Sequence, residues 1–68
     1  MKWGAIIKER RAVLGISQQD LADISEISVR TIKMIEVGGA NPSVNTLERI
    51  GFVLGLELVF QIRSNSLQ

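Results

Sequence analysis

Apolar residues return every three or four positions along most of the chain, which is the spacing of helices with one buried face. The first such segment runs from Trp3 to Leu14 and is followed by a glycine that can end a helix. Arg11 interrupts the apolar stripe, so we expect its guanidinium to face inward and to need a partner. The stripe itself consists of Trp3, Ile7 and Leu14, widened by Ile6 and Val13.

Two shorter helices follow, and the first of them begins at Ser17. Asp20 lies three positions further on, which is the pattern of a capping box. In that arrangement the serine hydroxyl accepts a backbone N–H of the first turn, and the carboxylate accepts the N–H of the serine. We expect Leu21 and Ile24 on the core side of this helix, with Ala22 leaving room for a crossing helix.

The third helix is predicted after a turn at residues 25–27, with Ser28 as its N-cap and an end near Val37, before two glycines. Successive helical residues are rotated by about 100°, so Ile32 and Ile35 point into the core together. The side chains predicted to point outward are Arg30, Lys33 and Met34, with Val29 on the border.

A fourth helix is predicted after the loop 38–42, with Ser43 as its N-cap. Gly55 ends it, because glycine readily adopts the left-handed conformation found just beyond helix ends. The residues expected to face inward are Val44, Leu47, Ile50 and Leu54.

After Gly55 the apolar period changes from about 3.6 residues to two, which is typical of a strand. The chain has no second strand pattern, and a lone strand leaves its backbone groups unpaired. Pairing with the same strand of a second copy solves this, so we predict a homodimer. The expected interface residues are Leu56, Leu58, Val59, Phe60 and Ile62, and the chain divides into a helical domain (1–55), a dimerisation strand (56–63) and a flexible tail (64–68).

Composition limits the possible functions. The chain has 68 residues, of which 46% are hydrophobic, so one small domain carries more apolar surface than its own core needs. It contains neither histidine nor cysteine, and its carboxylates are mostly accounted for by helix caps and the Arg11 partner. We therefore expect no enzyme, no metal site and no cofactor. Without a leader pattern or an apolar run near ~18 residues, we expect a cytoplasmic protein with no membrane contact.

The two short central helices and the turn between them have the arrangement of a helix-turn-helix, whose second helix enters the major groove of DNA. The net charge is only +1, so the distribution of charge matters more than its sum. Six basic residues precede the loop that follows the third helix: Lys2, Lys8, Arg10, Arg11, Arg30 and Lys33.

These motifs resemble the Xre or lambda-repressor-like helix-turn-helix family over roughly residues 7–56. The resemblance implies an all-α bundle of four to five helices, here with a short C-terminal strand that pairs across a dimer. The matching residues are Leu14-Gly15-Ile16-Ser17-Gln18, Leu21-Ala22, Ile27-Ser28, Thr31-Ile32, Ile35-Glu36, Gly38, Asn41-Pro42-Ser43, Thr46-Leu47, Ile50 and Leu54-Gly55.

The resemblance also implies roles for individual residues. Arg11 and Glu36 match a structural ion pair between the first and third helices. Polar or basic residues often occupy the positions of Val29 and Met34 in the family, so hydrogen-bond readout here rests mainly on Arg30. The implied base-reading residues are Val29, Arg30 and Met34, and the implied contacts to the DNA backbone are Ser17, Gln18, Ser28, Thr31, Lys33, Gly39 and Asn41.

As a function, the resemblance implies a homodimeric transcriptional repressor that binds an inverted-repeat operator in double-stranded DNA. The C-terminal strand further resembles that of the antitoxins that partner HipA-type kinase toxins, which implies such a kinase as a second partner. The competing interpretation is a protein-interaction module that neutralises a toxin without specific DNA binding.

Overall fold

The computed structural model describes residues 3–62 and contains four helices in this range. They are α1 (Trp3–Leu14), α2 (Gln18–Ser25), α3 (Val29–Glu36) and α4 (Val44–Leu54). The predicted helices are thus confirmed, with four rather than five in the described part of the chain. Helix α3 packs against α1 and α2, and α4 packs against the same two helices.

Serine caps explain where three of the helices begin. The Ser17 hydroxyl accepts the N–H of Asp20 at 2.9 Å, and the Asp20 carboxylate accepts the N–H of Ser17 at 3.0 Å, which completes the predicted capping box. Ser28 and Ser43 each accept the N–H three residues further on, both at 3.1 Å. A hydroxyl at this position satisfies a backbone donor that the helix cannot satisfy itself.

The end of α3 is closed by the two glycines. Gly38 has a φ of 85°, a left-handed conformation that favours glycine. Its N–H donates to the carbonyl of Ile35 at 3.0 Å, and the N–H of Gly39 donates to the carbonyl of Met34 at 2.9 Å. This pair of hydrogen bonds is a Schellman motif, which satisfies carbonyls at the helix end.

The core lies where the four helices meet, and each helix contributes to it. Leu21, Ile32, Ile35, Ile50 and Leu54 are almost completely buried. Burying a side chain of this kind contributes roughly 1.5–3 kcal/mol. Ile7 and Ala22 complete the cluster.

Five apolar residues predicted to face the core are instead exposed, and these predictions were wrong. The helices contact one another along narrow stripes, so residues at the margin of a stripe have no neighbour to cover them. The exposed fractions are 47% for Ile6, 68% for Val13, 44% for Leu14, 63% for Ile24 and 54% for Val44.

Two contacts of α1 had no signal in the periodic pattern. A Cβ added at Gly4 would clash with the carbonyl oxygens of Ile35 and Glu36, so only glycine permits this approach of α1 to the end of α3. Nε of Arg10 donates to the carbonyl of Leu54 at 2.7 Å and so satisfies a terminal carbonyl of α4.

Residues 56–62, which we call the C-terminal segment, form neither helix nor strand in the isolated chain. Leu56 packs against the core, and its N–H donates to the carbonyl of Gly51 at 2.8 Å. Further along, Phe60 is 93% exposed and Ile62 is 91% exposed. The predicted strand and its pairing are therefore not shown in a single copy, and Arg63 and the predicted tail 64–68 lie outside the described residues.

Candidate nucleic-acid interface

The outward face of α3 carries the side chains that could meet DNA. Arg30 and Lys33 are exposed, Met34 is 42% exposed and Val29 is half-buried at the start of the helix. On the opposite side of α3, Ile32 and Ile35 are fully buried and fix the helix to the core. Arg30, Lys33 and Met34, with Val29 at the border, therefore lie on the outward side of a helix whose opposite side is buried in the core.

A buried carboxylate joins three parts of the chain behind this face. Oε2 of Glu36 accepts Nε of Arg11 at 2.7 Å, and Oε1 accepts Nη2 of Arg11 at 2.9 Å. Nη1 of Arg11 donates to the carbonyl of Ile16 at 3.0 Å. The side chains of Arg11 and Glu36 are only 14% and 4% exposed, so this two-point ion pair is largely shielded from water.

Gln18 is the third member of this cluster. Its Nε2 donates to Oε1 of Glu36 at 3.1 Å, which ties the first residue of α2 to the last residue of α3. We call Arg11, Gln18 and Glu36 the polar junction. The contact between Gln18 and Glu36 was not predicted, and it commits one amide hydrogen of Gln18 inside the protein.

The pKa values of the junction reflect its contacts. Burial acts to raise the pKa of the Glu36 carboxyl, but hydrogen bonds from Arg11 and Gln18, with the positive charges of Arg11 and Lys8, hold that pKa below its ordinary value. The hydrogen bond with Glu36 raises the pKa of Arg11, against the opposing effect of burial. Both partners are therefore charged at neutral pH.

The hydroxyl groups of Ser28 and Thr31 are hydrogen-bonded to each other at the start of α3. Ser28 accepts the N–H of Thr31 and donates its own hydroxyl hydrogen to Oγ1 of Thr31 at 2.8 Å. The hydroxyl hydrogen of Ser28 is thus used within the cap, whereas the Thr31 hydroxyl donates no hydrogen bond among residues 3–62. Ser17 is similarly occupied by its capping box with Asp20, whose pKa is lowered by the hydrogen bond from the Ser17 backbone and then by that of its hydroxyl.

The loop after α3 contains Gly39, which the resemblance assigns to the DNA backbone. In the isolated chain its N–H donates to the carbonyl of Met34, and the assignment stays a prediction. The Schellman closure is the reason for this hydrogen bond, because it uses the first two loop amides for the helix itself. Asn41, two residues further on, is exposed.

Among residues 3–62 no group of three or more carboxylate side chains could hold a metal ion. No helix in the same range is long and apolar enough to cross a membrane.

Comparison with known proteins agrees with this geometry. A family model described as Helix-turn-helix matches residues 7–61. Three proteins of Methanococcus maripaludis, from strains C5, C7 and C6, carry the name "Putative HTH-type transcriptional regulatory protein", and each is 39% identical to the chain over 56 residues. The match covers 82% of this chain but only 17% of each of these relatives. No solved structure gave a significant match.

The matched range contains most of α1, all of α2, α3 and α4, and nearly all of the C-terminal segment. Both members of the Arg11–Glu36 pair and the whole outward face of α3 fall within it. Proteins of this family typically act by binding DNA rather than by catalysis. From the family match and the fold together, the chain belongs to the Xre-like helix-turn-helix family.

Proposed function

We propose that this chain is a DNA-binding transcriptional regulator that inserts α3 into the major groove. The observation that carries the proposal is the two-sided character of α3. Two fully buried isoleucines hold it in place, while Arg30, Lys33 and Met34 face outward beside a half-buried Val29. An anchored helix with a basic outer face suits a groove lined by phosphates.

Among the outward side chains, Arg30 makes the specific contact. A guanidinium can bond to O6 and N7 of a guanine and contribute about 1–3 kcal/mol of discrimination. Val29 and Met34 contact apolar features such as a thymine methyl. The positions proposed to contact the DNA backbone are Ser17, Gln18, Ser28, Thr31, Lys33, Gly39 and Asn41.

The regulator acts as a homodimer that represses transcription from an inverted-repeat operator. The exposed apolar side chains Val59, Phe60 and Ile62 support a dimer, because residues 56–63 of two copies would pair as strands and cover them together with Leu56 and Leu58. Two copies of α3 then lie about 34 Å apart, one turn of DNA. Occupation of the operator is the proposed means of repression.

Selection from a random double-stranded DNA library tests this proposal. The expected result is an inverted repeat whose half-site centres are about 10 base pairs apart. Arg30→Ala should lose the preference for one particular base at one position of each half-site. Arg49→Ala is the matched control, because Arg49 lies on α4 and pairs with Glu26 at 3.0 Å. Enrichment of no common sequence, or equal effects of both variants, would contradict the assignment.

The antitoxin role is a separate prediction that rests on the resemblance of the C-terminal segment. Co-expression with a kinase-like protein encoded beside this chain, followed by purification of a complex and a kinase assay, tests it. A kinase that neither binds the chain nor loses activity would remove the antitoxin role and leave DNA binding untouched.

A further inference from the structure

An exposed apolar surface lies between α2 and α4, which do not include the helix proposed to read DNA. Phe52 is 88% exposed and Ile24 is 63% exposed, and both line one groove with half-buried Val53 at its side. A second groove, which lies between α4 and the C-terminal segment, adjoins it and shares Glu48 and Phe52. We call the two grooves together the α2–α4 surface.

The charges around this surface are mainly negative. Its lining includes three carboxylates, Glu26, Glu48 and Glu57, and one basic side chain, Arg49. Arg49 is already paired with Glu26 at 3.0 Å. Among residues 3–62 neither Glu48 nor Glu57 forms a salt bridge, so no basic side chain in this range pairs with either carboxylate.

This combination of charge and shape narrows the class of partner. DNA is excluded, because its phosphates would meet carboxylates. A second copy that presented the same surface would place two acidic surfaces against each other, which opposes association. A groove between two helices, with apolar side chains and an acidic rim, suits an amphipathic helix with basic residues beside its apolar stripe.

We propose that the α2–α4 surface binds a basic amphipathic helix of another protein, with Phe52 and Ile24 as the apolar contacts and Glu48 and Glu57 as the charge contacts. The inference does not depend on DNA binding, because none of these four residues belongs to the face of α3 or to the polar junction.

Two synthetic peptides provide the test. Both carry leucines at positions i, i+3, i+4 and i+7, and the other positions are lysine in one peptide and glutamate in the other. Fluorescence anisotropy with the full chain measures binding, and amide chemical shifts locate it. We expect the lysine peptide to bind, with shifts centred on Ile24 and Phe52, and the glutamate peptide to bind at least about fivefold more weakly.

Three variants of the full chain test whether the peptide binds through the proposed residues. Phe52→Ser should weaken binding of the lysine peptide by at least about tenfold, because a large apolar contact is lost. Glu48→Lys should weaken it by about fivefold, since one attraction becomes a repulsion. Glu9→Lys, the same charge change at an exposed position of α1, should leave binding unchanged. All three variants alter exposed residues, so circular dichroism should report unchanged folding.

Three results would overturn the proposal. The first is failure of the lysine peptide to bind, or equal binding of both peptides. The second is unchanged affinity in Phe52→Ser. The third is concentration-dependent shifts at Ile24 and Phe52 without peptide, which would assign the surface to a second copy. Selection of operator DNA by Phe52→Ser, measured in parallel, separates this inference from the proposed function.

Discussion

The polar junction and the C-terminal segment lie in the same small chain but have opposite character. In the junction, Arg11, Gln18 and Glu36 satisfy one another within a single copy, and the pair at its centre is at least 86% buried by side-chain area. In the C-terminal segment, Phe60 and Ile62 are more than nine-tenths exposed. The comparison teaches that the proposed reading surface is held in place within a single copy, whereas Phe60 and Ile62 at the end of the segment are left uncovered by the rest of the described chain.

The largest expected effect comes from breaking the junction. Arg11→Ala leaves the Glu36 carboxylate buried without its cation, so the free energy of unfolding should fall by about 3 kcal/mol. Urea denaturation measures it. The matched control is Arg49→Ala, whose partner Glu26 is 79% exposed on its side chain and whose loss should cost at most about 1 kcal/mol. Equal losses in the two variants would mean that the junction does not stabilise the fold.

The next effect comes from the C-terminal segment. Phe60→Asp combined with Ile62→Asp should abolish the proposed dimer in analytical ultracentrifugation and weaken operator binding by at least about tenfold. Unfolding of the single copy should barely change, because both side chains are exposed. Truncation after Gly55 is a poorer test, since it also removes Leu56 from the core. Phe52→Asp is the control, and a dimer that survives in the double variant but not in the control would move the interface to α4.

A smaller effect separates the two proposed kinds of DNA contact. Arg30→Ala should reduce discrimination at one base pair of each half-site by about 1–2 kcal/mol. Gln18→Ala should weaken binding to operator and scrambled DNA alike. Titration of both variants against operators with single substitutions measures the difference. The roles would be reversed if Gln18→Ala lost the preference and Arg30→Ala did not.

The smallest effect is a dependence of stability on pH that originates in the junction. The pKa of Glu36 in the folded chain lies below its ordinary value of 4.5. Its stabilising contribution is therefore complete above that value and is lost as the pH falls through the lower, folded pKa. Urea denaturation between pH 7 and pH 3 should show this loss, and Glu36→Gln should reduce the slope. An unchanged slope in that variant would assign the acid sensitivity to Asp20 or other carboxyls.

Local signals in the sequence were sufficient for the helices and their caps. Ser17, Ser28 and Ser43 act on an N–H only three residues away, so the chain itself contains both partners in one short window. Helical periodicity identified the most buried residues, but it overestimated the core at Ile24 and Val44. A helical wheel predicts the direction in which a side chain points, but not whether a neighbouring helix extends far enough to cover it.

Local sequence patterns could not predict contacts between residues that are far apart in the chain. The donor and acceptor in the Gln18–Glu36 hydrogen bond are 18 residues apart, and no repeat or motif links them. The use of the Gly39 amide by Met34 depends on the backbone angles at the end of α3, which composition does not reveal. Residues 56–62 have the alternating pattern of a strand but do not form one in the single chain, which offers no second strand in residues 3–62 with which they could pair.

The glycine closure of α3 also limits how much sequence information one copy can acquire. Helix α3 has eight residues, which corresponds to a length of about 12 Å. With base pairs spaced about 3.4 Å apart, that length spans three to four of them. Because Gly38 and Gly39 prevent another turn of helix, the proposed recognition of a longer DNA site would need α3 of a second copy.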